Sequence, residues 1–270
     1  MPAQARAAGE GDAPEAARIA FQTLGGGGPS ALLLHGFGSD HLSWVANQPA
    51  LGNVATLFAL DLPGHGASGM NVGDGAVATL AQRIAARLDQ KGLHALNLIG
   101  HSLGGGVALV LAATRPDLVA SLALIAPAGL GEALDPAFLA AFPELAAPED
   151  AQRLLQRLVV RPRLIGKPLV ALALRQLDKP GSRDALRRVA QGLLDGAGDL
   201  QAAAGAVAAS AIPRLVIWGE EDVINPISRA RLVAFGGALL VAPGAAHLPH
   251  VESPRFVNAA ISDFLTRPRD

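Results

Sequence analysis

The sequence predicts an α/β protein, a doubly wound and mostly parallel sheet with helices on both faces and a helical lid inserted at one point. Three observations carry that expectation. Short apolar runs recur along the chain between turn residues, as strands covered on both faces require. Helical patterns alternate with them, which is the order of βαβ units. One interval, from residue 130 to about 210, has helical patterns but no strand-like run. An insertion of that size in an α/β sheet sits over the carboxyl ends of the strands, where ligands bind.

Residues 1–17 have the composition of a linker, so the domain proper is expected to occupy 18–270. A strand-like pattern at 19–24 is closed by four glycines, Gly25 to Gly28. Further strands are expected at 31–34, 54–60, 95–99, 119–125, 214–218 and 238–241, and helices at 76–90, 103–115 and 254–265. Inside the inserted interval Pro136, Pro143, Pro148, Pro162, Pro168 and Pro180 punctuate successive helices.

Composition narrows the chemistry. With 22 Lys+Arg against 23 Asp+Glu the net charge is −1, which leaves no basic excess to neutralise nucleic-acid phosphates. No apolar run approaches the roughly 18 to 20 residues a membrane span needs, and residues 1–17 lack the continuous apolar stretch of a signal peptide. A cytoplasmic protein with a small, largely apolar substrate is expected. The absence of Cys excludes thiolate metal sites, iron–sulfur clusters and a thiol nucleophile, leaving Ser, His and carboxylates.

Those residues fall into an order. The strand at 95–99 runs into Gly100-His101-Ser102-Leu103-Gly104 and a helix begins at once, the setting of a nucleophile elbow. A serine at the tip of such a turn projects its hydroxyl above the sheet, and glycines on both flanks let strand and helix pass closely. The hydroxyl needs a base, and the base an orienting acid. After the strand at 214–218 come Glu220, Glu221 and Asp222, and after that at 238–241 comes His247, so the chain order Ser, acid, His is satisfied. Asp222 is preferred to its neighbours because a short side chain at the apex of the turn suits the reach; its competing role is capping the segment that follows. Among seven histidines, His35 is expected to fix its own loop, and His250 to be structural. The oxyanion is assigned to the amides of Leu103, directly after the nucleophile, and Phe37, between Gly36 and Gly38.

A second glycine motif, Gly64-His65-Gly66-Ala67-Ser68-Gly69, matches a dinucleotide fingerprint but not its context, since the next strand ends in Gly100-His101 rather than in an acid. No phosphate loop with Gly-Lys-Ser/Thr occurs, and no histidine pair at helical spacing has a carboxylate partner. No cofactor and no metal are expected.

Taken together, His35-Gly36, the turn Asp61-Leu62-Pro63-Gly64-His65-Gly66, the elbow at Ser102, Trp218-Gly219-Glu220-Glu221-Asp222, and His247 followed by Glu252 and Pro254 resemble the α/β-hydrolase fold over about residues 30–265. Residues 127–131 and 158–177 further resemble the hydrolase-like domain of the acetyltransferase component of bacterial acetoin dehydrogenase complexes. In those proteins a lipoyl domain and an Ala/Pro/Glu-rich linker come first; residues 1–17 resemble the linker, and the 270 residues are expected to hold no lipoyl domain. The His-x-x-x-Asp-Gly motif of ordinary dihydrolipoamide acetyltransferases is absent. The resemblance implies a serine hydrolase acting on an ester, thioester or related acyl bond. Its alternatives are an acyltransferase associated with a dehydrogenase complex, a carbon–carbon bond hydrolase, and a catalytically idle interaction domain.

Overall fold

In the computed structural model, residues 18–268 are described, and the linker-like segment 1–17 lies outside them. Seven strands form one sheet: β1 (Phe21–Gly25), β2 (Ser30–Leu34), β3 (Thr56–Leu60), β4 (Leu96–His101), β5 (Val119–Ile125), β6 (Arg214–Gly219) and β7 (Ala238–Ala242), in the order β1-β3-β2-β4-β5-β6-β7. The edge strand β1 runs antiparallel to β3, and every other pairing is parallel. The doubly wound, mostly parallel sheet expected from the sequence is therefore present.

Alternation within the strands sorts side chains to two apolar layers. Leu32, Leu34 and Leu98 pack on one face with α2 (Val77–Lys91) and α3 (Leu103–Thr114). Ala31, Leu33 and Ile99 pack on the other with α1 (Gln48–Leu51) and α11 (Pro254–Thr266). Each fully buried Leu contributes roughly 1.5–3 kcal/mol of transfer free energy, so the central strands anchor the fold. Polarity did not end β4 where its apolar run ends, because Gly100 and His101 continue the ladder opposite Leu124 and Ile125.

The interval between β5 and β6 holds α4 (Pro136–Ala141), α5 (Pro148–Gln156), α6 (Lys167–Leu177), α7 (Ser182–Asp195) and α8 (Ala197–Ala208). An expected lid reaching to about residue 210 takes in α8, but α8 packs on α3: Leu200 lies 3.3 Å from where a Cβ on Gly106 would sit. The inserted helical interval spans the residues between β5 and β6, and helical periodicity identifies its helices without saying what each packs against. Two further helices, α9 (Arg229–Phe235) and the single turn α10 (Pro249–Glu252), follow β6 and β7 respectively.

The sheet order reverses between β2 and β4, which puts their carboxyl ends side by side: Leu34 pairs with Gly100. At such a switch point the following loops separate and leave a crevice. Both the loop that begins at His35 and the elbow at Ser102 open into it.

Candidate active site

Ser102 sits between β4 and α3 at φ 51°, ψ −114°, a left-handed conformation that costs a non-glycine residue about 1–3 kcal/mol. Its backbone is tied on both sides: the amide donates to Ile125 O at 3.0 Å, and the carbonyl accepts from Gly106 and Ala128 at 3.0 and 2.9 Å. The flanking glycines are sterically required. A Cβ at Gly104 would lie 2.3 Å from Leu34 O, and one at Gly100 2.6 Å from Gly104 O.

His247 Nε2 lies 3.0 Å from Ser102 Oγ, and His247 Nδ1 lies 2.8 Å from Asp222 Oδ2. With the ring hydrogen on Nδ1, His247 donates to Asp222 and presents a free acceptor to the serine hydroxyl. Asp222 divides its carboxylate between two tasks: Oδ2 holds His247, while Oδ1 accepts from the amides of Ile224 and Asn225, both at 2.9 Å. The capping and orienting roles weighed against each other in the sequence coexist on one side chain. The structure thus brings Ser102, His247 and Asp222 into one hydrogen-bonded chain, each buried. Glu220 and Glu221 are exposed and take no part in that chain.

The amide of Leu103 opens α3 beside Ser102. The loop carrying Phe37 approaches from β2, with the Cβ position of Gly36 3.3 Å from Ser102 Cβ. Among the described residues neither the Phe37 nor the Leu103 amide has a hydrogen-bond partner.

Three further positioning residues had no role assigned from the sequence. Glu252, fully buried at its side chain, accepts from the Ala246 amide at 2.7 Å with Oε2 and from the amides of Val160 and Arg161 at 2.9 and 3.2 Å with Oε1, joining the His247 loop to the inserted segment. Asn225 donates to the carbonyls of Ala126 and Pro127, both at 3.0 Å, and pins the Asp222 loop to the end of β5. His101 Nε2 donates to His247 O at 2.8 Å, and its ring packs between those of His247 and His250. Burial, then the nearby His250 and His247, hold the His101 pKa well below the ordinary histidine value, so it is neutral and its one N–H serves that bond. Its signal was its place inside the elbow motif.

His35 does what its loop context implied: Nδ1 donates to Gly36 O at 2.8 Å and Nε2 accepts from the Leu62 amide at 2.9 Å. The second glycine motif wraps a side chain of its own chain. Asp61 Oδ2 accepts from the Ala67 amide at 2.8 Å, and a Cβ at Gly66 would lie 2.3 Å from the Asp61 carboxyl group, so the glycine makes room for Asp61.

Ser102 and His247 open into a cavity of about 290 Å³ roofed by the inserted helices, with Phe138 and Phe142, Leu155, and Leu172 and Leu193 contributing apolar side chains from α4, α5, α6 and α7 or their ends. Among the described residues no Lys or Arg lines it, and Asp40 is its one charged side chain. Arg153, Arg157, Arg161, Arg163 and Arg175 lie outside the wall; Arg153 pairs with Asp150 and Arg157 with Asp135.

A family model described as alpha/beta hydrolase fold matches residues 29–254. The dihydrolipoyllysine-residue acetyltransferase component of the acetoin cleaving system of Pseudomonas putida is 35% identical over 267 residues, covering 96% of this chain and 70% of the relative. Its counterpart from Cupriavidus necator is 32% identical over 248 residues, covering 92% of this chain and 66% of the relative. Among solved structures, 2-hydroxy-6-oxo-6-phenylhexa-2,4-dienoate hydrolase from Rhodococcus sp. strain RHA1 superposes with a TM-score of 0.80 at 21% identity, covering 93% and 99% of the two chains.

Proposed function

Because the chain belongs to the alpha/beta hydrolase fold family, we propose that it is a serine hydrolase that cleaves an ester, thioester or related acyl bond of a small, largely apolar substrate. The observation that carries this reading is the Ser102–His247–Asp222 chain, with links of 3.0 and 2.8 Å, at the floor of an apolar cavity.

In the proposed reaction His247 Nε2 takes the Ser102 hydroxyl proton as Oγ attacks the substrate carbonyl. Asp222 holds the imidazolium, and the amides of Phe37 and Leu103 receive the oxyanion. Collapse breaks the acyl bond; the leaving alcohol or thiol departs with the proton from His247, and the acyl group stays on Ser102. Water then attacks, giving its proton to His247, and the acid is released as Ser102 regains its own. The strain at Ser102 favours this geometry, because it holds the hydroxyl clear of the helix before substrate arrives.

The two acetyltransferase relatives favour a second reading, in which a thiol such as dihydrolipoamide replaces water in the last step and the protein associates with a dehydrogenase complex. Carbon–carbon hydrolysis fits less well. The Rhodococcus enzyme is named for an anionic dienoate, whereas Asp40, of the same sign, is the one charged side chain on this cavity among the described residues.

A fluorophosphonate probe tests the reading: it should label Ser102 and abolish hydrolysis of short acyl esters. Failure to label would remove hydrolysis and acyl transfer together, while faster acyl transfer to dihydrolipoamide than to water would select the second reading.

A further inference from the structure

One side of the cavity is polar in a way the acyl chemistry does not use. Asp40 follows the Phe37 loop and caps the short 3-10 turn His41–Trp44, its Oδ1 accepting from the Leu42 amide at 2.9 Å. Its Oδ2 accepts from Gln176 Nε2 of α6 at 3.1 Å. That bond fixes the amide, because the opposite flip would set Oε1 against a carboxylate oxygen. Gln176 Oε1 is thereby turned away from Asp40, and among the described residues it is buried without a partner. Ser43 Oγ and both ring nitrogens of His250 share that condition, and all three residues line the cavity.

His250 is fully buried, its ring tilted between those of Trp44 at 4.9 Å and His101 at 4.6 Å between centroids, which places it beside the Ser102 elbow. Burial, with His247 nearby, pushes its pKa down to about 3, so it offers one N–H donor and one bare nitrogen acceptor. Buried polar atoms are nearly always paired, and unpaired ones on side chains that line a cavity point to hydrogen bonds a ligand can make there. The open set holds an acceptor in Gln176 Oε1 and groups of either sense in Ser43 and His250. A hydroxyl, which both donates and accepts, matches that set. An ammonium, which only donates, would leave the His250 N–H unmet. A carboxylate would face Asp40.

We infer that Gln176, Ser43 and His250 form a hydroxyl-recognition subsite, and that the substrate is a neutral ester carrying a free hydroxyl group near the scissile bond. The inference rests on the acyl-hydrolase reading for the scissile bond, but the subsite itself is a matter of binding.

The hydroxyl can belong to the alcohol portion, as in a partial ester of a polyol, or to the acyl portion, as in a hydroxy acid ester. Two matched pairs separate these sources: glyceryl monobutyrate against propyl butyrate, and methyl 3-hydroxyhexanoate against methyl hexanoate. Calorimetry on the full-length Ser102→Ala protein reads binding without turnover, and the intact protein reads kcat/KM. The hydroxylated member of at least one pair should bind about tenfold tighter or more, and Gln176→Leu should bring that ratio toward one. Equal binding within both pairs would overturn the subsite, as would a ratio untouched in a folded Gln176→Leu protein. Should that variant fail to fold, the ratio in Ser102→Ala decides alone. Preferential binding with no turnover of any ester would leave the subsite standing and count against the hydrolase reading instead.

Discussion

On the floor of the cavity each turn is tied by a buried polar group, whereas the roof formed by α4, α5 and α6 rests mainly on apolar packing. His35 bridges Gly36 and Leu62, Asn225 ties the Asp222 loop to β5, and Glu252 and His101 hold the segment around His247. Above them Phe138, Phe142, Leu155, Val159 and Val170 are buried against one another and the sheet domain, with Asp40–Gln176 and Glu252 among the few polar links downward. The difference follows from what each layer must do. Acyl transfer loses rate when reacting atoms shift by about 1 Å, so hydrogen bonds with narrow geometry hold the floor. Apolar packing tolerates changes of shape at modest cost, which suits a wall that fits a substrate.

Breaking the floor should have the largest effect. Ser102→Ala or His247→Ala should each lower kcat by about 10⁶-fold, and the double variant should be little worse than either, since the three residues act as a unit. Asp222→Asn should cost about 10⁴-fold, because the amide favours the wrong His247 tautomer even with the loop intact. Steady-state kinetics on short acyl esters measures all three. Additive losses, or activity surviving in Ser102→Ala, would show that a different group attacks.

The floor is also where acid should act. All seven histidines lie outside α4 to α8. Burial pushes His65 and His250 down to a pKa of about 3, against an unfolded value near 6.5. Below that unfolded value the unfolded chain binds protons that the folded protein refuses. The stabilising contribution is therefore complete above about pH 6.5 and is lost as pH falls toward 3, at about 1.4 kcal/mol per pH unit for each group. Urea midpoints measured from pH 7 down to pH 4 should fall accordingly. His65→Asn, whose amide can still reach the Pro63 carbonyl, should flatten the slope by one histidine's share; an unchanged slope would place the acid sensitivity elsewhere.

The same division governs what could be read from the chain alone. Ser102, His247 and Asp222 stand at the ends of apolar strands in a fixed order, and strand ends can be found from local pattern. Gly100 and Gly104 belong to that pattern, because the turn they allow is local. Glu252, Asn225 and His101 act across 92, about 98 and 146 residues respectively, and no short-range periodicity signals a bond of that span. What each inserted helix packs against is hidden for a related reason. The Ala-rich pattern of α8 marks a helix, but its packing against α3 depends on Gly106 and Leu200, far apart in sequence. One-turn helices such as α1 and α10 are shorter than any helical period can reveal.

A mild change in the roof should have the smallest effect and tests whether fit and chemistry are separable. Leu155 is 6% exposed and lines the cavity from α5, away from every hydrogen bond that positions Ser102, Asp222 or His247. Leu155→Val removes one methylene, at a stability cost of about 1 kcal/mol. The space released should favour a slightly longer or bulkier acyl group, shifting relative kcat/KM between neighbouring chain lengths by about tenfold. The shift should lie mainly in KM, because the wall is in contact with substrate and transition state alike. The rate at which a small fluorophosphonate labels Ser102 reports the floor separately and should change by no more than about threefold. A labelling rate that falls about a hundredfold, with the fold intact, would mean that the roof helps to position the serine, and the division between the two layers would fail.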